Sequence, residues 1–138
     1  MIQQSILEVA TRGRGTTDIT GRVAEAVVAS GVRTGTVALF LQHTSAALMV
    51  CENADPDVRV DLETALAGLA PDADPRFRHT AEGPDDMAAH VRSVLVGVSL
   101  LLPVVAGRPG LGTWQGLYLW EHRQAGSRRR IVVTVQGE

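Results

Sequence analysis

The chain has 138 residues, 45 % of them hydrophobic, and a formal net charge of −2. That suits one folded domain rather than two or a disordered segment, and it gives no general electrostatic reason to bind nucleic acid or an anionic membrane. All 13 basic residues are arginine, which excludes Schiff-base chemistry and lysine-dependent phosphate loops and leaves arginine to meet phosphate or carboxylate.

In chain order, Ile2–Val9 reads as a first strand and Arg12–Thr17 as a polar loop. Asp18 or Thr20 can cap a short helix whose Val23, Ala26 and Val27 share a face and which Gly31 ends. Thr36–Leu41 predicts a strand buried on both faces, and Ala46–Cys51 a second apolar run after a bend at His43–Ser45. Asn53-Ala-Asp55-Pro56 is a helix start, and Val58, Leu62, Ala65, Leu66 and Leu69 form its apolar stripe. Pro71–Pro75 breaks that helix. Met87, Val91, Val94 and Leu95 predict another, stopped at Gly97. Val98–Val105 is extended, Gly107–Gly112 is a loop, and Trp114–Glu121 with Arg130–Gln136 predicts a C-terminal hairpin through a turn at Gln124–Ser127. Grouped helices with locally paired strands favour an α+β domain over 1–138, a mainly antiparallel or mixed sheet with two to three helices. Those helices do not suffice to cover a sheet buried on both faces, which leaves room for subunit packing.

No apolar run reaches ~18 residues, so no transmembrane helix is expected. Met1–Ser5 lacks a basic start and an apolar signal region, and the lone Cys51 cannot form an internal disulfide. The expected compartment is the cytoplasm.

Chemistry concentrates between His79 and His90, where two of the four histidines stand with Glu82, Asp85 and Asp86. Imidazole and carboxylate bind divalent cations and transfer protons. Asp85 and Asp86 equally suit a helix N-terminus, and capping is their best reading. His43, at a strand end, is either a hydrogen-bonded structural residue or a third imidazole converging with His79 and His90 on one metal ion. At the Glu52-Asn53-Ala-Asp55 junction Asp55 reads as an N-cap, whereas Glu52 has no obvious structural role and suits acid–base work. Thr113, Trp114 and Gln115 follow glycines that permit close approach of a ligand, or else belong to a turn around a core tryptophan. Alternation turns Glu121 and His122 to opposite faces. Cys51 lies in an apolar run, where cysteine is usually inert. Arg128–Arg130 either attracts an anion or guards a strand edge.

Taken together, Gln42-His-Thr-Ser-Ala46, Glu52-Asn-Ala-Asp-Pro56, His79 with Glu82–Met87 and His90, Gly112-Thr-Trp-Gln-Gly116 and Ser127-Arg-Arg resemble the YjbQ family over roughly residues 1–138. The resemblance implies a compact α+β fold, a homotrimer, and a weak secondary thiamine-phosphate synthase activity that joins a pyrimidine diphosphate to a thiazole phosphate and releases pyrophosphate. A divalent ion, zinc or magnesium, would offset phosphate charge. On this resemblance His43, Glu52 and Gln115 are the catalytic candidates, and His43, His79 and His90 the metal ligands. Arg123, Arg129, Asn53 and Thr113 are the contacts to a small phosphorylated molecule. Cys51 stands where the family often has asparagine, and Ala125-Gly-Ser-Arg-Arg departs slightly from the family's Gly-Gly-Ser-Arg-Arg. The alternatives are a metal-dependent hydrolase with Glu52 as base and a non-catalytic trimeric protein that binds a small anion.

Overall fold

In the computed structural model, which spans residues 1–138, β1 (Ile2–Ala10) is followed by β2 (Gly15–Asp18), α1 (Thr20–Ser30), β3 (Thr34–Leu41) and β4 (Ala46–Glu52). Then come α2 (Pro56–Leu69), α3 (Asp86–Val96), β5 (Ser99–Val105), β6 (Arg108–Pro109), β7 (Gln115–Glu121) and β8 (Arg128–Gly137). Two antiparallel sheets result, one ordered β1-β8-β3-β5-β6 and the other β2-β7-β4. This is the α+β domain the sequence predicts. No helix is long and apolar enough to cross a membrane.

The core lies between the sheets. Val37, Leu39, Leu41, Ile131, Val133 and Val135 of the larger sheet meet Leu48, Leu117 and Leu119 of the smaller one, joined by Val23 and Val27 of α1. Gly31 ends α1 in the left-handed conformation at φ 76° and donates to the Val28 carbonyl. Asp55 caps α2 by accepting from Asp57 N–H at 2.9 Å. Both agree with the sequence reading. Strand β7 is covered twice: Leu117 and Leu119 face the core, while Tyr118 and Trp120 are buried on the other side, where Arg59 of α2 stacks over Tyr118 and Glu63 accepts from Trp120 Nε1.

Several expectations are corrected. The C-terminal strands form no hairpin: β7 pairs with β2 and β4, and β8 with β1 and β3. The Gln124–Ser127 segment carries the chain from one sheet to the other, tied down where Thr11 N–H donates to the Ser127 carbonyl at 2.8 Å. Short strands β2 and β6 lie in segments read as loops, because Arg12–Thr17 and Gly107–Gly112 carry no apolar alternation to reveal edge pairing. Strand β3 is buried on one face only, with Phe40 at 52 % exposure. Neither mid-chain helix buries its apolar stripe. In α2 only Leu66 is buried, and Leu62 and Leu69 are exposed. Helix α3 is inverted, burying Asp86, Ala88, Ala89, Arg92 and Ser93 while Val94 is 85 % exposed. Periodicity finds helices but not which side has a partner.

Candidate functional site

Helix α3 lies against the start of β4, where Ser93 Oγ donates to the Ala46 carbonyl at 2.8 Å. Its first turn therefore stands beside the end of β7. Asp86 opens the helix. Its Oδ2 lies 2.7 Å from His79 Nε2 and 3.1 Å from His90 Nε2, while Oδ1 accepts from Arg123 Nη1 at 2.7 Å. The donor atoms of His79, Asp86 and His90 all lie within 4.8 Å of one another. Arg123 also donates from Nε to Asp85 Oδ2 at 3.0 Å and from Nη2 to the Glu82 carbonyl at 2.9 Å. Asp85 further accepts from Gln124 N–H at 2.8 Å. Burial works against ionisation of Asp86, but its hydrogen bond with His79 and the charges of His90 and Arg123 outweigh that, and the carboxyl is held below its ordinary range. The capping role expected of Asp85 and Asp86 is thus corrected: neither side chain caps the helix, because both are turned onto Arg123 and the histidines.

His90 fixes the electrostatics. Its Nδ1 lies 2.9 Å from the Thr44 carbonyl oxygen, which can only accept, so Nδ1 carries the hydrogen. In the neutral ring Nε2 then presents a lone pair to Asp86 Oδ2. Two lone pairs facing at 3.1 Å call for a cation between them, either a proton or a metal ion. A histidine that donates its second ring N–H to a backbone carbonyl is also the usual support of a metal ligand.

His43 does not join this trio. Its Nε2 accepts from Arg130 N–H at 2.9 Å, and its Nδ1 lies 3.3 Å from Arg129 Nη1. Burial and the Arg129 charge hold its pKa below the ordinary 6.5, against an opposing pull from Glu121. With one nitrogen occupied and the other facing a guanidinium, His43 is not set to coordinate, and Asp86 stands in its place as third donor. His43 and His90 nevertheless line one cleft of about 590 Å³, with Phe40, Val94 and Val98 on its walls.

The arginines read as phosphate contacts stand in ion pairs here. Arg129 is buried, with Nε and Nη2 on Glu121 and Nη2 also on Ser45 Oγ at 2.9 Å. Arg123 is spent on Asp85, Asp86 and Glu82. In both, carboxylates already take up the guanidinium charge.

Glu52, Asn53, Thr113 and Gln115 form a second cluster at the other end of the β4–β7 ladder. Glu52 pairs with Gln115 and Ala46 with Glu121, so at ~3.3 Å per residue the two ends are about 20 Å apart. Glu52 has the structural role that sequence did not reveal: Oε2 accepts from the N–H groups of Ala54 and Asp55 at 3.1 and 2.9 Å. Asn53 Nδ2 reaches the carbonyls of Thr113 and Gln115, and Gln115 Oε1 accepts from Gly112 N–H at 2.9 Å. Trp114, in the loop they hold, is 64 % exposed rather than core.

Sequence reasoning assigned no role to His122. The ring is fully buried, neither nitrogen has a hydrogen-bond partner, and burial pushes its pKa down to about 3. Alternation placed it opposite Glu121, and nothing in the sequence signalled that the chamber there would be closed.

The family model described as UPF0047 protein YjbQ-like matches residues 5–138. A UPF0047 protein from Synechocystis is 49 % identical over 135 residues, covering 98 % of this chain and 92 % of that one. The UPF0047 protein YjbQ of Escherichia coli O157:H7 is 43 % identical over 142 residues and the full length of both chains. The crystal structure of an uncharacterized conserved YjbQ/UPF0047 family protein from Clostridium acetobutylicum superposes with a TM-score of 0.88 at 33 % identity, covering 96 % of this chain and 99 % of that one.

Proposed function

This chain belongs to the UPF0047 YjbQ-like family, and on that premise we propose that His79, Asp86 and His90 hold a divalent cation at a site that works on a small phosphorylated molecule. The observation that carries the reading is the approach of His90 Nε2 to Asp86 Oδ2 at 3.1 Å while Nδ1 is committed to the Thr44 carbonyl. His79 Nε2 reaches the same oxygen at 2.7 Å, so three ligand atoms converge on one point. Two imidazoles with one carboxylate suit zinc or a similar transition ion, whereas magnesium prefers an all-oxygen set.

The ion would supply charge neutralisation for a phosphate. The chain's own groups do the rest. Arg123 fixes the carboxylate of Asp86, Thr44 fixes the ring of His90, and the wall of Phe40, Val94 and Val98 receives a flat heterocycle while excluding water. The family resemblance adds the reaction: transfer between a pyrimidine diphosphate and a thiazole phosphate with release of pyrophosphate, in a homotrimer.

Elemental analysis of the purified protein tests the cation, with one equivalent of a zinc-like metal expected per chain and none in His90→Ala. Supplying the two thiamine precursors should then yield thiamine phosphate in the parent protein but not in that variant. A metal-free protein that takes up none on addition sinks the cation site. Bound metal without product leaves the site standing and removes the transferase.

A further inference from the structure

We infer that the site is completed in trans, by the Trp114 loop of a second copy of this chain seated on the cleft beside His90. This rests on the reading above only in taking that cleft as the working site.

Four observations carry it. First, one chain cannot assemble the cluster of Glu52, Asn53, Thr113 and Gln115 with the cluster around Asp86, because the β4–β7 ladder holds them about 20 Å apart. Second, the loop is a preformed knob. Asn53 N–H donates to the Trp114 carbonyl at 3.1 Å, Asn53 Nδ2 holds the carbonyls on either side, and Gln115 closes the turn onto Gly112. A tryptophan left 64 % exposed on so pinned a loop loses little freedom on docking, as anchor residues at interfaces do.

Third, the cleft is a hole of matching character. Its exposed walls are Phe40 and Val94, its volume of about 590 Å³ has room for an indole and a small ligand together, and Val94 belongs to the α3 face that finds no partner within the chain. Fourth, the rims carry opposite charge. Beside the knob, Glu52 at the end of β4, Asp55 at the N-cap, and Asp57 and Asp61 in α2 stand with one Arg59. Beside the hole stands the exposed Arg130, next to His43 and within the Arg128–Arg130 run. Complementary rims fix orientation and register at an interface.

Knob and hole are different patches of one surface, so the contact is head-to-tail, and a rotation that closes makes it a ring. It returns Glu52 and Gln115 to the neighbourhood of His79, Asp86 and His90, from the adjacent copy.

The test needs no activity and no metal. Trp120→Phe leaves Trp114 as the sole tryptophan. Its emission is expected to be that of a shielded indole, and adding Val94→Asp, far from Trp114 within one chain, should shift it to the red. In the otherwise unaltered protein, Trp114→Ser should sediment as a single copy while the parent sediments as a ring. A red emission that Val94→Asp leaves unchanged, or a Trp114→Ser protein that sediments like the parent, overturns the inference. A red shift on Val94→Asp in protein that takes up no metal sustains the docking while removing the cation reading.

Discussion

Arg129 reaches across the gap between the two sheets and closes on Glu121, with Nε 2.9 Å from Oε1 and Nη2 against Oε2. The two residues are 4 % and 0 % exposed. Losing one partner strands the other charge in the interior, which costs about 3–5 kcal/mol. Arg129→Met and Glu121→Gln should each lower stability to urea by that order, and the paired change Arg129→Met with Glu121→Leu should recover much of it. Single variants as stable as the parent would show that the pair does not hold the sheets together.

His122 gives the molecule a pH dependence. Its ring stays neutral down to about 3 in the fold, against an ordinary value of 6.5. Between those values the unfolded chain binds a proton that the folded chain does not. Stability is therefore fully present above pH 6.5 and falls as the pH drops, by on the order of 2 kcal/mol at pH 5. His43 is shifted in the same direction. Glu121, held below its ordinary 4.5 because Arg129 and Thr11 outweigh the effect of burial, adds its loss only below that pH. Urea midpoints at pH 7 and pH 5 should show most of the slope gone in His122→Phe. An unchanged slope would put its source elsewhere.

Arg123 acts on the proposed cation through Asp86. Removing such an outer support weakens metal affinity by about 10–100-fold. Titration against a coloured chelator should show that loss in Arg123→Leu, and complete loss in Asp86→Asn. Equal affinities in Arg123→Leu and the parent would mean that Asp86 needs no orienting.

The crossing turn tolerates a side chain at Ala125 but not at its neighbour. A Cβ on Gly126 would lie 2.3 Å from the Thr11 carbonyl oxygen, forcing apart the contact in which Thr11 N–H and Ser127 O meet at 2.8 Å. Gly126→Ala should cost about 1–3 kcal/mol, as overpacking does, measured by thermal unfolding. A neutral substitution would show that the turn can yield.

Much of the fold is legible in the sequence, because β1, β3, β7 and β8 carry apolar alternation, β4 is a continuous apolar run, and α1 and α2 carry local stop or start signals. What escapes is pairing across the chain: β7 and β8 look like a hairpin because they are adjacent, yet each finds its partners far away in sequence. Within the site, His79 and His90 were visible as a dense patch. Asp86 was masked by an equally good capping position, and Glu52 looked unemployed only because its hydrogen bonds go to backbone groups two and three residues on. Arg123 and Arg129 looked free because sequence shows charge without showing its partner.

Strand β7 separates two polar compartments with consecutive buried residues. Glu121 faces Arg129 on one side, and His122 lies near Arg92 on the other, where positive charge also disfavours its protonation. A slip of one residue would exchange them, setting an imidazole against the Arg129 guanidinium and a carboxylate among the groups around Arg92 and Glu63. Both compartments would be left with mismatched groups. Glu121 and His122 thus act as a two-tooth key for the register of β7, and so for the height at which the Gly112–Gln115 turn is presented at its far end.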